Sequence, residues 1–291
     1  MSGTFRTVGL IGKQDDARVA ETLARLVDFL LPLDVEVLCD RASAVLPGKA
    51  LEVVDRANLG ERCDLVVVVA GDGTFLGAAR SLVDHDVPVL GVNLGRLGFL
   101  ADVMPDEMTE RLRDVLAGNY EEERRFLLHT RVMRGDRAVL EGDALNEVVV
   151  HKWNIARLIQ FETRIDGRLV NSQRSDGLIV ATPTGSTAYA LSGGGPILHP
   201  GLDAIVVVPI CPHTLSSRPL VVTADSTIEV LVSADERPEA LITWDGQTSE
   251  PIEPGDRIEI RRKEQRLRLV HPRGYDYYAT LRAKLHWARE L

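Results

Sequence analysis

Basic residues are in deficit: Lys and Arg number 34 against 43 Asp and Glu, a net charge of −9. Binding nucleic acid takes basic patches that displace counterions from phosphates, so that class is excluded. Aromatic residues are scarce at 5%, too few for a broad base-stacking platform. The three cysteines, Cys39, Cys63 and Cys211, stand singly, with no Cys-x-x-Cys and no paired His-Cys spacing. That excludes the common structural zinc sites and fits a reducing compartment better than a disulfide scaffold. All three read as small buried hydrophobes. No apolar run approaches the ~18 residues a membrane helix needs. Met1 to Leu10 lack the charged region, apolar core and cleavage site of a secretory leader. A cytoplasmic protein with neither membrane nor nucleic acid as partner is expected. Hydrophobic residues at 45% and charged residues at 26% suit a globular core, and 291 residues suggest two domains at ~150 each.

The first part alternates strands and helices. Thr7 to Ile11 reads as a strand, and Asp15 or Asp16 as the cap of a helix carrying Val19, Leu23, Leu26, Val27 and Leu30. A second strand is expected at Val35 to Leu38. Asp64 to Val69 is apolar on both faces, as a central parallel strand must be. A helix from about Thr74 to Val83, a strand at Val87 to Val92 and a helix at Asp106 to Ala117 complete a doubly wound α/β layer. Near Tyr120 the pattern changes to short strands and turns. Ile159, Phe161, Thr163 and Ile165 alternate with polar residues up to Asp166-Gly167, a pair suited to a tight hairpin, and Pro254-Gly255-Asp256 marks another turn. Tyr278, Leu281, Leu285 and Ala288 mark a last amphipathic helix. The reading is an α/β domain at 1–120, a β-rich domain at 121–274, and 275–291 returning to the first domain.

Three segments carry chemistry. Ala70-Gly71-Asp72-Gly73-Thr74 follows the buried strand, where open α/β sheets bind ligands. Glycines admit close backbone approach, and the next helix offers unpaired N–H groups to an anion. A carboxylate repels phosphate, so Asp72 suits a base toward a hydroxyl, a hydroxyl acceptor or a metal partner. A plain helix cap explains Asp72 equally well on the turn alone. No Walker A loop exists, since Gly48-Lys49 precedes Ala50 and Gly12-Lys13 precedes Gln14. Haloacid dehalogenase-like phosphatases have a nucleophilic aspartate two positions before the second one; here that position is Ala70. Asn146-Glu147 opens a strand with an amide and a carboxylate, a pair suited to a ribose diol. Taken alone, that segment is better explained as a solvated strand end. The third segment, Arg174 to Pro196, passes from a strand through Thr182-Pro183-Thr184-Gly185-Ser186-Thr187-Ala188-Tyr189 to Gly193-Gly194-Gly195. Its hydroxyls could reach phosphate or ribose oxygens, Tyr189 offers a flat face to a ring, and the glycines could meet a diphosphate. An ordered binding loop explains it better than a polar turn.

Together these segments resemble the NAD kinase family, in its bacterial form. Asn93 to Leu100, Pro212 to Pro219 and Asp245-Gly246-Gln247 also fit, in the family's order and over nearly the whole chain. The resemblance implies an N-terminal Rossmann-like domain, a mostly β sandwich-like C-terminal domain, and transfer of the γ-phosphate of ATP to the 2′-hydroxyl of the adenosine ribose of NAD. It implies Asp72 as general base and orienting group, with Gly73 admitting the substrate beside it. Asn146 and Glu147 would hold the ribose and adenine region. Thr184, Gly185, Ser186, Thr187, Ala188 and Tyr189 would line the dinucleotide. Arg157 and Arg174 would meet phosphates, Asp176 an amide or hydroxyl, and Gln247 would close the pocket. A divalent cation, Mg²⁺ first, and a homodimer or homotetramer are also implied. One departure is Ala70, where the family usually has a glycine. Rival readings are a lipid or sugar kinase sharing the Gly-Asp-Gly element and an NADP-sensing module without catalysis.

Overall fold

The computed structural model describes residues 5–13, 16–43, 51–95, 98–153, 158–233 and 240–287. The chain forms two compact units, residues 1–124 with 265–291 and residues 125–264, so both divisions fall within strands.

The first unit begins with β1 (Thr7–Gly12), α1 (Ala17–Leu30), β2 (Glu36–Asp40), β3 (Glu52–Val54), α2 (Arg56–Arg62) and β4 (Leu65–Val69). It continues through α3 (Asp72–Leu82), β5 (Pro88–Val92), α4 (Met108–Leu116) and the start of β6 (Tyr120–Arg134). Its parallel sheet runs β5-β4-β1-β2-β3. β4 is buried throughout because it has a strand on each side and helices on the faces. Asp16 caps α1 by accepting the Arg18 N–H at 3.0 Å, and the five apolar positions expected on that helix are all buried.

The second unit holds the rest of β6, β7 (Arg137–Ala144), β8 (Glu147–Lys152), β9 (Ile159–Ile165), β10 (Arg168–Ser175), β11 (Gly177–Ala181) and the short α5 (Tyr189–Ser192). β12 (Ala204–Ile210), β13 (Leu220–Thr223), β14 (Ile228–Val232), β15 (Ala240–Trp244) and β16 (Thr248–Ile252) lead into β17 (Arg257–Pro272). One antiparallel sheet runs β13-β12-β11-β8-β15-β16, and β9 pairs with β10 and β14 in a second layer. Val148, Phe161, Ile228 and Trp244 belong to one core between them. Asp166 and Gly167 have φ of 51° and 74°, the pair of left-handed residues that the β9–β10 hairpin turn requires.

β17 continues into the first unit, where Arg268 and Leu269 lie parallel to Pro88 and Val89 of β5. α6 (Tyr277–Leu285) follows, capped by Asp276. Three expectations change. α3 begins at Asp72, not Thr74. Tyr277, Thr280 and Leu281 are the buried face of α6, whereas Tyr278 is exposed; Ala288 lies outside the described residues. Cys39 and Cys63 are buried, their thiols pushed up to about 11 and about 12 by desolvation, but Cys211 is exposed.

Candidate functional site

In the first unit the site is the exit from β4. The Ala70 N–H is tied to the Val92 carbonyl at 3.0 Å. Gly71 is the N-cap of α3 and Asp72 its first residue, with no side-chain capping bond. The helix-cap reading of Asp72 is therefore set aside. Asp72 Oδ1 is buried without a hydrogen-bond partner. Burial raises the carboxyl's pKa above its ordinary 3.8, and the Lys284 charge pulls it back. Ala70 is not at positive φ, so the methyl that replaces the family's glycine is accommodated. Gly71, at φ −78° and ψ 173°, is in extended backbone open to any residue, and a Cβ there would meet nothing within 4 Å. The chain's own packing thus does not ask for that glycine. Asn93 folds the neighbouring loop by accepting the Gly95 N–H at 2.9 Å. Gly71, Asp72, Gly73, Asn93, Lys13 and Lys284 line a cavity of about 480 Å³.

In the second unit the site is built on the start of β8. Glu147 is buried at 5% exposure and Asn146 is half-buried, so the solvated-strand-end reading fails. The cause is the β15–β16 hairpin. Asp245 and Gly246 turn it with φ of 52° and 63°, and the Asp245 carboxylate points back. It accepts the backbone N–H groups of Leu145, Asn146 and Glu147 at 3.2, 2.7 and 3.3 Å. The Asp245 N–H donates to the Glu147 carbonyl at 3.0 Å. Burial first, and the Asp245 charge second, push the Glu147 carboxyl up to about 8, although the Tyr189 N–H bond opposes them. Glu147 Oε2 is buried without a hydrogen-bond partner. A cavity of about 420 Å³ is lined by Glu147, His151, Lys152, Asp176, Tyr189 and Gly246, among others. Asp176 is paired with Lys152 at 2.5 Å, and His151 Nε2 lies 2.9 Å from Thr243 Oγ1.

The hydroxyl-rich loop turns inward. Thr182 Oγ1 donates to the Leu145 carbonyl at 2.6 Å, and the Thr182 N–H to that of Asn146 at 2.9 Å. Gly185 rests on the Asn146 carbonyl so closely that a Cβ would collide with it. Arg125 donates to Thr184 Oγ1 at 3.0 Å, and Thr187 Oγ1 to the Thr184 carbonyl at 3.1 Å. Ser186, fully buried, donates to the Pro183 carbonyl at 2.6 Å and accepts the Leu198 N–H at 2.9 Å. These hydroxyls all have partners within the protein, and the Thr182 backbone N–H ties the loop to Asn146. Past Ala188, Tyr189 emerges 46% exposed onto the cavity. Cβ atoms at Gly193 and Gly195 would crowd Val208 of β12, and Gly194 has φ +84°, so packing asks for the outer two glycines and backbone conformation for the middle one.

Arg174 is exposed on β10, outside the cavity lining, with its carbonyl accepting the His213 N–H at 2.9 Å. Gln247 is exposed beyond the hairpin turn, where Gly246 rather than Gln247 lines the cavity. Arg157 lies outside the described residues. Sequence reasoning gave Asp245 no role beyond its place in a matching segment, and it missed His151, Lys152, Lys13 and Lys284 as cavity residues. His151 was within reach: Glu147, Val149 and His151 share one face of β8 by period two, and all three line the cavity.

Residues 8–120 match the ATP-NAD kinase N-terminal domain and residues 145–272 the ATP-NAD kinase C-terminal domain. An NAD kinase from Nitrosococcus oceani is 51% identical over 292 residues, covering 100% of both chains. One from Pseudomonas putida is 52% identical and covers 99% of this chain and 97% of its own. Among solved structures, a yeast NADH kinase complexed with NADH shares the fold, with a TM-score of 0.88 at 24% identity, over 100% of this chain and 93% of that one. An NAD kinase from Archaeoglobus fulgidus in complex with ATP aligns with a TM-score of 0.74 at 28% identity, over 95% and 99%.

Proposed function

This chain belongs to the NAD kinase family, and from that premise we propose that it transfers the γ-phosphoryl group of ATP to the 2′-hydroxyl of the adenosine ribose of NAD, giving NADP. The observation that carries the reading is Asp72, a carboxylate with a buried oxygen left without a hydrogen-bond partner at the C-terminal end of β4. An acceptor held in that state is ready for a hydroxyl proton.

The 2′-oxygen attacks the γ-phosphorus, the bond to the β,γ-bridging oxygen breaks, ADP leaves, and the hydroxyl proton passes to Asp72. Phosphoryl transfer has a loose transition state, so aiming the hydroxyl matters as much as removing its proton. Gly71 and Gly73 let the donor phosphates approach the start of α3, where unpaired N–H groups favour anions. Asn146 and Glu147 hold the adenosine ribose. At about 8, the Glu147 carboxyl keeps its proton at neutral pH and donates one hydrogen bond to the ligand. Tyr189, positioned by residues 184–188, covers a ring of the dinucleotide. Asp176, Arg174, Arg157 and Gln247 remain candidates for its polar groups.

Among the described residues no three His, Cys, Asp or Glu side chains cluster as a metal cage. Mg²⁺ leans on substrate phosphates and keeps its waters, so one carboxylate oxygen beside the phosphates, that of Asp72, suits it. The cation would screen the donor's charge. No described helix is long and apolar enough to cross a membrane. We read the protein as a cytoplasmic homodimer or homotetramer.

Purified protein mixed with NAD, ATP and Mg²⁺ should form NADP, and Asp72→Ala should fall by orders of magnitude while still binding NAD. Dinucleotide binding without turnover would favour the sensor reading, and phosphorylation of a lipid or sugar instead of NAD would favour the rival kinases.

A further inference from the structure

Within the first unit, Asp72 is approached by a loop and, through that loop, by a helix distant in sequence. A Cβ at Gly98 would collide with Asp72 Oδ1 and lie 2.8 Å from Asn93 Nδ2. The next residue, Phe99, has its ring centre 6.3 Å from that of Tyr277 and 5.9 Å from Lys284 Nζ. Both contacts come from α6, which thereby brings Lys284 to the wall of the cavity that Asp72 and Gly71 line. The other charged groups facing Asp72 across this cavity are Lys13, Asp16 and Arg18, between β1 and α1. Asp16 and Arg18 pair with each other at 3.0 Å. Among the described residues neither Lys13 nor Lys284 is in an ion pair, which leaves this wall positive. An ammonium steadied over an aromatic face is a point charge held in place, suited to phosphate oxygens.

We propose that Lys284 binds the phosphate chain of the nucleoside triphosphate in the first unit's cavity, beside Asp72. The proposal rests on the NAD kinase reading and adds a residue that none of the three chemical segments of the sequence contains. It also gives the lysine a second effect: its charge opposes the burial of Asp72 and favours the ionised base.

The test compares wild type, K284M and K284R in NADP formation across pH, with KM measured for each substrate. Loss of a charge-assisted phosphate contact should raise KM for ATP roughly tenfold or more. KM for NAD should stay within about twofold, because the lost contact belongs to the donor alone. The acid limb of kcat should move to higher pH, since burial of Asp72 is then unopposed. K284R should recover most of the ATP affinity. An unchanged KM for ATP with an unmoved acid limb in folded K284M would overturn the proposal, as would KM values for ATP and NAD rising in step. If K284M fails to fold, K284Q, which keeps a long side chain over Phe99, takes its place. Calorimetric titration with inorganic tripolyphosphate gives an answer independent of turnover. Weaker binding by K284M supports the lysine's role even if wild type makes no NADP, and equal binding removes it. Absence of NADP with wild type counts against the family reading alone.

Discussion

Asp245 grips Glu147 by its backbone on both sides: the Asp245 carboxylate takes the Glu147 N–H at 3.3 Å and the Asp245 N–H meets the Glu147 carbonyl at 3.0 Å. The same carboxylate raises the Glu147 side chain's pKa. One residue thus sets both the place and the protonation state of another.

Asp245→Asn should loosen that grip. It removes a charge from three backbone hydrogen bonds, at a cost of about 1–3 kcal/mol. The titration of Glu147 should fall below about 8, and any pH dependence of NAD binding that follows it should move to lower pH. Equilibrium NAD binding between pH 6 and 9 reads both effects.

Glu147→Gln should stabilise the fold at pH 8. A carboxyl whose pKa is raised from 4.5 to about 8 binds a proton in the folded chain that the unfolded chain has released. Stability therefore declines as pH rises between those values, and glutamine removes the decline. A gain of about 1–3 kcal/mol at pH 8, shrinking to nothing near pH 4.5, is expected in thermal unfolding, together with weaker NAD binding.

Gly71→Ala and Gly98→Ala should separate. At Gly71 the added methyl meets no protein atom within 4 Å, so Tm should hold while KM for ATP rises. At Gly98 it strikes Asp72 and Asn93, so kcat should fall at least ~10-fold and Tm should fall with it. Steady-state kinetics and calorimetry on both variants check the contrast.

Asp72 should place the acid limb of kcat above the ordinary aspartate value of 3.8. A base is active only when ionised, so burial moves the loss of activity to higher pH. A pH–rate profile at saturating substrates reads the limb, and Asp72→Asn should abolish it.

Ser186→Ala should act as a folding variant. Its hydroxyl bridges the Pro183 carbonyl and the Leu198 N–H inside the loop, so a loss of about 1–2 kcal/mol in unfolding free energy is expected. NAD affinity measured well below Tm should change little.

The layers of the fold are readable in the sequence because they depend on local pattern. The run Leu65–Val69 can only be a strand buried on both faces, Asp16 is a cap, and Asp166-Gly167 is a turn. Asp72, Asn146, Glu147 and Tyr189 stand out only together, through the order of their segments along the chain; singly, Asp72 reads equally as a helix cap and Asn146-Glu147 as a solvated strand end. What side chains do with their hydrogen bonds is not readable. Thr184 and Ser186 look like free donors until their partners Arg125 and Leu198 are known, and each partner is fixed by tertiary packing. The hold of Asp245 on residues 145–147 and the place of Lys284 stay hidden for the same reason, both residues being far in sequence from what they touch. The face of α6 is missed by one residue because adjacent tyrosines give nearly equal signals.

The first unit is made from two separate stretches, residues 1–124 and 265–291, with residues 268–269 lying along β5. During translation the ribosome releases β5 long before that neighbour exists. The nascent first unit must therefore wait with an open strand edge, a template for self-association. The second unit, contiguous in sequence, is free to finish in the meantime. Until residues 265 onward are made the first unit stays incomplete, and so does the cavity wall to which Lys284 contributes.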